Sequence, residues 1–186
     1  MRLTVWLADE QGLVLVFTAL ALPLILLVGV FLLHTGEVYR RQAELQFMAQ
    51  NTANSVLLPV GDRLKSQAEE NYRATCEVDF PPSRCGSDHL FDFLNFSEAQ
   101  TIINHPSTQA MVATEALNFI TQADPRQRLG SGNLQLSFPH DYNGETSAIA
   151  RVTLTERQTH WIGDFLKPEN YQLEVVAESF LKLTNS

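Results

Sequence analysis

The sequence has few of the residue patterns that carry chemistry. Its five histidines form no H-x3-H or H-E-x-x-H pair, so the common helical zinc motifs are absent. No G-x-S-x-G nucleophile elbow occurs, and "GSG" at Gly130–Gly132 lacks the strand-turn-helix setting of a phosphate loop. "DYNGE" at Asp141–Glu145 lacks the ligand spacing of an EF-hand. Asp88-His89 and His140-Asp141 read as surface loop pairs, not as a metal site. Positive charge is also scarce: 13 Lys and Arg stand against 21 Asp and Glu, a net charge of −8. That balance argues against nucleic acid, whose affinity rests on Lys and Arg at phosphates. The expectation is a protein without catalytic residues, metal or cofactor.

Cysteine appears twice, in "CEVDFPPSRC". Cys76 and Cys85 flank a bend with two prolines. A disulfide is the natural reading in an oxidising compartment, and two free thiols in a reducing one. The pair lacks further cysteines or paired histidines, so it makes a poor zinc signature.

Charge is missing altogether between Gly12 and His34. Leu13 to Leu33 is an apolar run of about 21 residues, which as a helix spans about 30 Å, the thickness of a bilayer hydrocarbon core. A secretory signal has an apolar core of only about 7–15 residues and a small-residue cleavage site. Here the run continues into "HTGEVYRRQAELQ" with no A-x-A. An uncleaved membrane anchor is therefore favoured. Pro23, in the middle of the run, removes one helical hydrogen bond and is expected to kink or loosen the helix.

From Gly12 to about Leu58 the chain resembles the N-terminal segment of the TadE/TadG-like family of Flp (Tad) pilus-assembly proteins. Gly12 opens the run, and "FTALALPLILL" places Pro23 where the family has its proline. Gly36, Tyr39, "ELQ" at Glu44–Gln46, Ala49 and Ala53 continue the pattern over roughly a quarter of the chain. Pseudopilin-like members carry a glutamate five residues after the glycine. Phe17 occupies that place here, which looks more like the TadG branch, although the D-x-S-x-S metal motif of larger TadG members is absent. The resemblance implies a single-pass inner-membrane protein with its N-terminus cytoplasmic and its C-terminal head periplasmic. Arg40 and Arg41 point the other way, since the positive-inside rule would place that flank in the cytoplasm.

The division expected is a stub at 1–12, a transmembrane helix at 13–33, a periplasmic continuation at 34–61 and a head at 62–186. The continuation should stop at "LLPVGD", through Pro59 and Gly61. Val38, Leu45, Met48, Ala49, Thr52 and Val56 fall on one helical stripe. That stripe either packs on the protein's own head, the favoured reading, or meets another subunit. Asp62–Thr75 reads as a polar helix. Two more helices follow, with Ser97 and Gln100 as a capping box for the first and Pro106 dividing them. The second stops before Asp124-Pro125.

The period then changes to two. Leu134, Leu136 and Phe138 alternate, as do Ala148, Ala150, Val152 and Leu154, then Tyr171, Leu173, Val175, Ala177 and Leu181. These are three half-buried strands, and Asn143-Gly144 suits a hairpin between the first two. The fold class is α+β: a long N-terminal transmembrane helix, then a small head with short helices and a C-terminal antiparallel sheet. Trp161, Ile162, Phe165 and Leu166 cluster in the last connection, either covering the sheet or touching a partner or membrane.

Together these features lead to the expectation of a noncatalytic, membrane-anchored component that assists assembly or anchoring of a Flp/Tad-type pilus or related secretion apparatus. Its partners would be the lipid bilayer and other pilus-assembly or secretion proteins, in homo- or hetero-oligomers. The alternative is a membrane-tethered periplasmic binding or sensing module.

Overall fold

The computed structural model describes residues 3–77, 85, 90–124, 128–140, 147–158 and 171–182. The chain divides into two compact units, Met1–Ala43 and Glu44–Ser186.

Helix α1 covers Leu3–Ser55, and its helical course runs through Pro23 without a break. From Val14 to Leu33 no side chain is buried, and Phe17, Leu27 and Leu33 are among the most exposed. A helix apolar on every side is at home in lipid or in a large protein core. Among the described residues of the first unit none lies outside this helix to provide such a core. The helix is long and apolar enough to cross a membrane, as a span or a signal sequence. The hydroxyls of Thr18, within this stretch, and Thr35, just beyond it, suit that setting. Thr18 Oγ1 donates to the Val14 carbonyl and Thr35 Oγ1 to that of Phe31, both at 2.8 Å, so neither hydroxyl needs water.

In the second unit the end of α1 contributes Leu45, Ala49, Thr52 and Ala53 to the interior, and Val56 just after it joins them, all fully buried. The Thr52 hydroxyl donates to the Met48 carbonyl at 2.7 Å, which removes the cost of burying it. A turn at Val56–Leu57 leads into α2 (Leu58–Cys76). Pro59 opens this helix instead of stopping the previous one. In the first helical turn its missing N–H is no loss and its fixed φ suits the helix. The Leu57 N–H turns back to the Asn54 carbonyl at 3.2 Å, and the Gly61 N–H resumes α-helical bonding to Leu57 at 2.9 Å. The polar helix expected from Asp62 thus starts earlier, and Gly61 lies inside it.

Helices α3 (Phe96–Asn104) and α4 (Pro106–Ala123) follow, with His105 as the shared cap. The capping box of α3 is Asn95 with Glu98, not Ser97 with Gln100. Asn95 has the extended backbone a cap needs (φ −83°, ψ 157°), whereas Ser97 already lies in the first turn. The Ser97 hydroxyl donates to Asn95 Oδ1 instead.

The sheet is antiparallel in the order β1 (Leu134–Ser137), β2 (Ser147–Gln158) and β3 (Tyr171–Lys182). Leu136 faces Val152, Leu154 faces Val175, and Val152 faces Ala177. Because the side-chain period is two, this register sends Ala148, Ala150, Val152 and Leu154 to one buried face. Ala148 and Ala150 meet Val60 and Leu64 of α2, Ala99 and Ile103 of α3, and Val112 and Ala116 of α4 in a single core. Leu136, Phe138 and Leu181 pack at its margin. The architecture is the expected α+β.

Candidate functional site

From Leu45 on, the helical stripe read from the sequence lies in the interior of the second unit. Leu45, Ala49, Thr52 and Val56 are fully buried, Met48 is nearly so, and Val38 is half-buried. Ala53 and Leu57 belong to the same interior and were missed, although Ala53 lies on the stripe's flank at i+4 from Ala49. Beside this face, α1 also closes an edge of the sheet. Gln46 Nε2 donates to the Val176 carbonyl at 3.2 Å and Gln50 Nε2 to that of Glu178 at 3.3 Å.

Cys76, the last residue of α2, is joined to Cys85 by a disulfide with the Cα atoms 5.5 Å apart. Two further contacts hold the end of α2. Asn71 Nδ2 donates to the Phe93 carbonyl at 2.9 Å, and the Tyr72 and Phe93 rings meet edge to face at 5.0 Å. Trp161, Ile162, Phe165 and Leu166, together with Asp88, His89, Asn143, Gly144 and His160, lie outside the described residues. Among the described residues no group of three His, Cys, Asp or Glu is arranged to hold a metal ion.

On the outer face of the sheet, His140 has a serine on one side and a carboxylate on the other. Its Nδ1 lies 3.0 Å from Ser137 Oγ and its Nε2 4.0 Å from Glu178 Oε1. The arrangement resembles a nucleophile-base-acid relay but is protonated the wrong way. Arg151 Nη1 lies 3.0 Å from Nε2, and a guanidinium can only donate. Nε2 is therefore the acceptor and the ring hydrogen sits on Nδ1, pointing at Ser137. A base must offer its lone pair to the hydroxyl. Arg151 also lies 3.6 Å from Glu178, so the group is a cross-strand polar cluster.

A concave feature with converging polar groups lies between α2, α3 and the start of α4. This cleft of about 400 Å³ is lined by Asp62, Arg63, Gln67, Glu70, Ile102 and His105, among others. Arg63 Nη1 donates to Ser107 Oγ at 3.0 Å and to Thr108 Oγ1 at 2.9 Å, and Thr108 is fully buried. The Ser107 N–H donates to His105 Nδ1 at 3.2 Å, so the cap of α4 is an imidazole nitrogen. Nothing in the sequence joins Arg63 to His105. They meet because α3 and α4 fold back across α2, and the only local signal was Pro106 marking the break.

Scans against protein-family models, curated proteins and solved structures find no match to this chain.

Proposed function

We propose that this chain is a noncatalytic, single-pass membrane protein whose head stands in the periplasm and assists assembly or anchoring of a Flp/Tad-type pilus or related secretion apparatus. The observation that carries the reading is the helix from Val14 to Leu33, free of charge and with no buried side chain, ahead of a second compact unit. Lipid is the solvent such a helix needs. The Cys76–Cys85 disulfide supports an oxidising compartment for the head, and so outweighs Arg40 and Arg41 in the choice of orientation. The resemblance of Gly12–Leu58 to the TadE/TadG-like segment supports the assembly role.

Deletion of the gene should abolish surface pili while the major subunit is still made. The full chain should restore them, and a chain lacking residues 1–33 should not. Normal piliation in the deletion strain would overturn the assembly role. A second reading, a membrane-tethered periplasmic binding module, is favoured by one observation, the polar cleft between α2, α3 and α4.

A further inference from the structure

We propose that the cleft between α2, α3 and α4 binds a small aminocarboxylate, its carboxylate on Arg63 and His105 and its ammonium toward Glu70. This goes beyond the assembly reading and stands or falls apart from it.

The two donors are fixed in place and only partly used. Arg63 is held through Nη1 alone, by Ser107 and the buried Thr108. A guanidinium has five N–H donors in a rigid plane, and among the described residues those on Nε and Nη2 have no protein acceptor. His105 is oriented through its other nitrogen. The Ser107 N–H donates to Nδ1, and Ser107 Oγ, which accepts from Arg63, lies 2.7 Å from the same atom. The ring hydrogen therefore sits on Nε2. Arg63 and His105 both line the cleft, so two side chains tied to one serine present donors to one space. A forked donor set of this kind suits the planar oxygens of a carboxylate. The backbone takes no part. The Thr108 and Gln109 N–H groups already bond to the His105 carbonyl at 2.9 and 3.2 Å, and that of Ser107 is taken by Nδ1.

The acids of the cleft set the rest of the ligand. Asp62, Ser66 and Glu70 follow one another at i+4 along the α2 face that lines it. Glu70 lies about two helical turns beyond Arg63, roughly 10 Å along the axis. Among the described residues neither Asp62 nor Glu70 has an ion-pair partner. Two unpaired carboxylates repel a multiply charged anion and attract a cation. Ile102 and Thr101 of α3 line the same space and suit a short methylene chain. A volume of about 400 Å³ is in the range of small-ligand sites.

The test uses the full chain in lipid nanodiscs at neutral pH with three probes: 6-aminohexanoate, hexanoate and hexylammonium. Backbone amide shifts of Arg63, Ile102 and Thr108 report binding. Saturable binding of 6-aminohexanoate is expected, with hexanoate about fivefold or more weaker and hexylammonium silent. Arg63→Gln should weaken 6-aminohexanoate about tenfold or more. Glu70→Gln, at an exposed position, should reduce it to the level of hexanoate and leave hexanoate unchanged or improved. The proposal is overturned by no saturable shift in the folded protein, by equal affinity for 6-aminohexanoate and hexanoate, or by binding that survives Arg63→Gln.

Discussion

Gln46 and Val176 are 130 positions apart in the chain and joined by a hydrogen bond, Nε2 to carbonyl oxygen at 3.2 Å. Gln50 repeats the contact one helical turn on, to Glu178, two residues further along β3. One turn of helix rises about 5.4 Å and two residues of strand about 6.8 Å, so an i, i+4 pair can follow alternate carbonyls along a strand edge. β3 is the last strand of the sheet, and an uncovered edge would present unpaired carbonyls to other chains. Replacing both glutamines by alanine is expected to lower stability by about 1–2 kcal/mol, since exposed hydrogen bonds contribute little each. Self-association should rise. Sedimentation velocity beside a chemical melt measures both, and an unchanged association state would count against the edge-closing role.

Much of this arrangement could be read in the sequence, and the limits have physical causes. The alternation of Ala148, Ala150, Val152 and Leu154 exposes the sheet because one face of β2 is buried along its length. The stripe from Leu45 to Val56 is equally plain, because its residues recur at helical spacing. Pro59 misleads because proline both ends helices and begins them, and which happens depends on whether the chain resumes helical bonding at Gly61. Ser97 misleads because Asn95, two residues earlier, is an equally good cap. The cleft was not legible, since Arg63 and His105 are brought together only by packing of α2 against α3 and α4.

The two sides of α1 should respond differently to truncation. Leu45 is fully buried, while Phe47, two residues on, is 70% exposed. Leu45→Ala is expected to cost about 2–5 kcal/mol, through lost burial and the cavity left behind. Phe47→Ala should stay within about 0.5 kcal/mol. Comparable losses at both positions, measured by denaturant melts of the full chain, would mean that Phe47 is also covered in the native assembly.

Asn95→Ala removes the side chain that accepts the Glu98 N–H at 3.1 Å. The reciprocal bonds to Glu98 Oε2, from the Asn95 backbone N–H at 3.2 Å and from Asn71 Nδ2 at 3.0 Å, do not use that side chain and should remain. A loss of about 0.5–2 kcal/mol is expected, against a few tenths for Ser97→Ala. The reverse order would restore Ser97 as the cap.

The Cys76–Cys85 bond closes a short loop at the end of α2. In the chain-entropy model such a loop contributes about 2–3 kcal/mol, and Cys76→Ser with Cys85→Ser should lower the denaturation midpoint accordingly. Reductant should shift the wild-type chain by a similar amount and leave the double variant unmoved. Thiol labelling of denatured, unreduced protein gives the compartment. Two reactive cysteines in protein isolated from cells with an oxidising periplasm would place the head in the cytoplasm.

The last prediction concerns the apolar run itself. In cleaved pilin-like proteins a glutamate five residues into the mature helix can pair with the free amino group of a neighbouring subunit. Such a charge needs a partner, because an unpaired one in an apolar setting costs several kcal/mol. At the corresponding place this chain has Phe17, 66% exposed on a helix with no charged side chain between Gly12 and His34. A cut after Gly12 would leave an amine at Leu13 with no carboxylate in the run to receive it. On the proposed reading an uncut, permanent anchor is the expected state, with the protein assisting assembly from the membrane and not polymerising as a major pilin. Intact mass of the membrane-purified protein should therefore match a chain uncut after Gly12. Leu22→Arg, near the middle of the run, should impair insertion by about 2.5–3.5 kcal/mol and shift the protein out of the membrane fraction. A mature chain beginning at Leu13, recovered from sheared fibres, would make α1 an assembly helix instead.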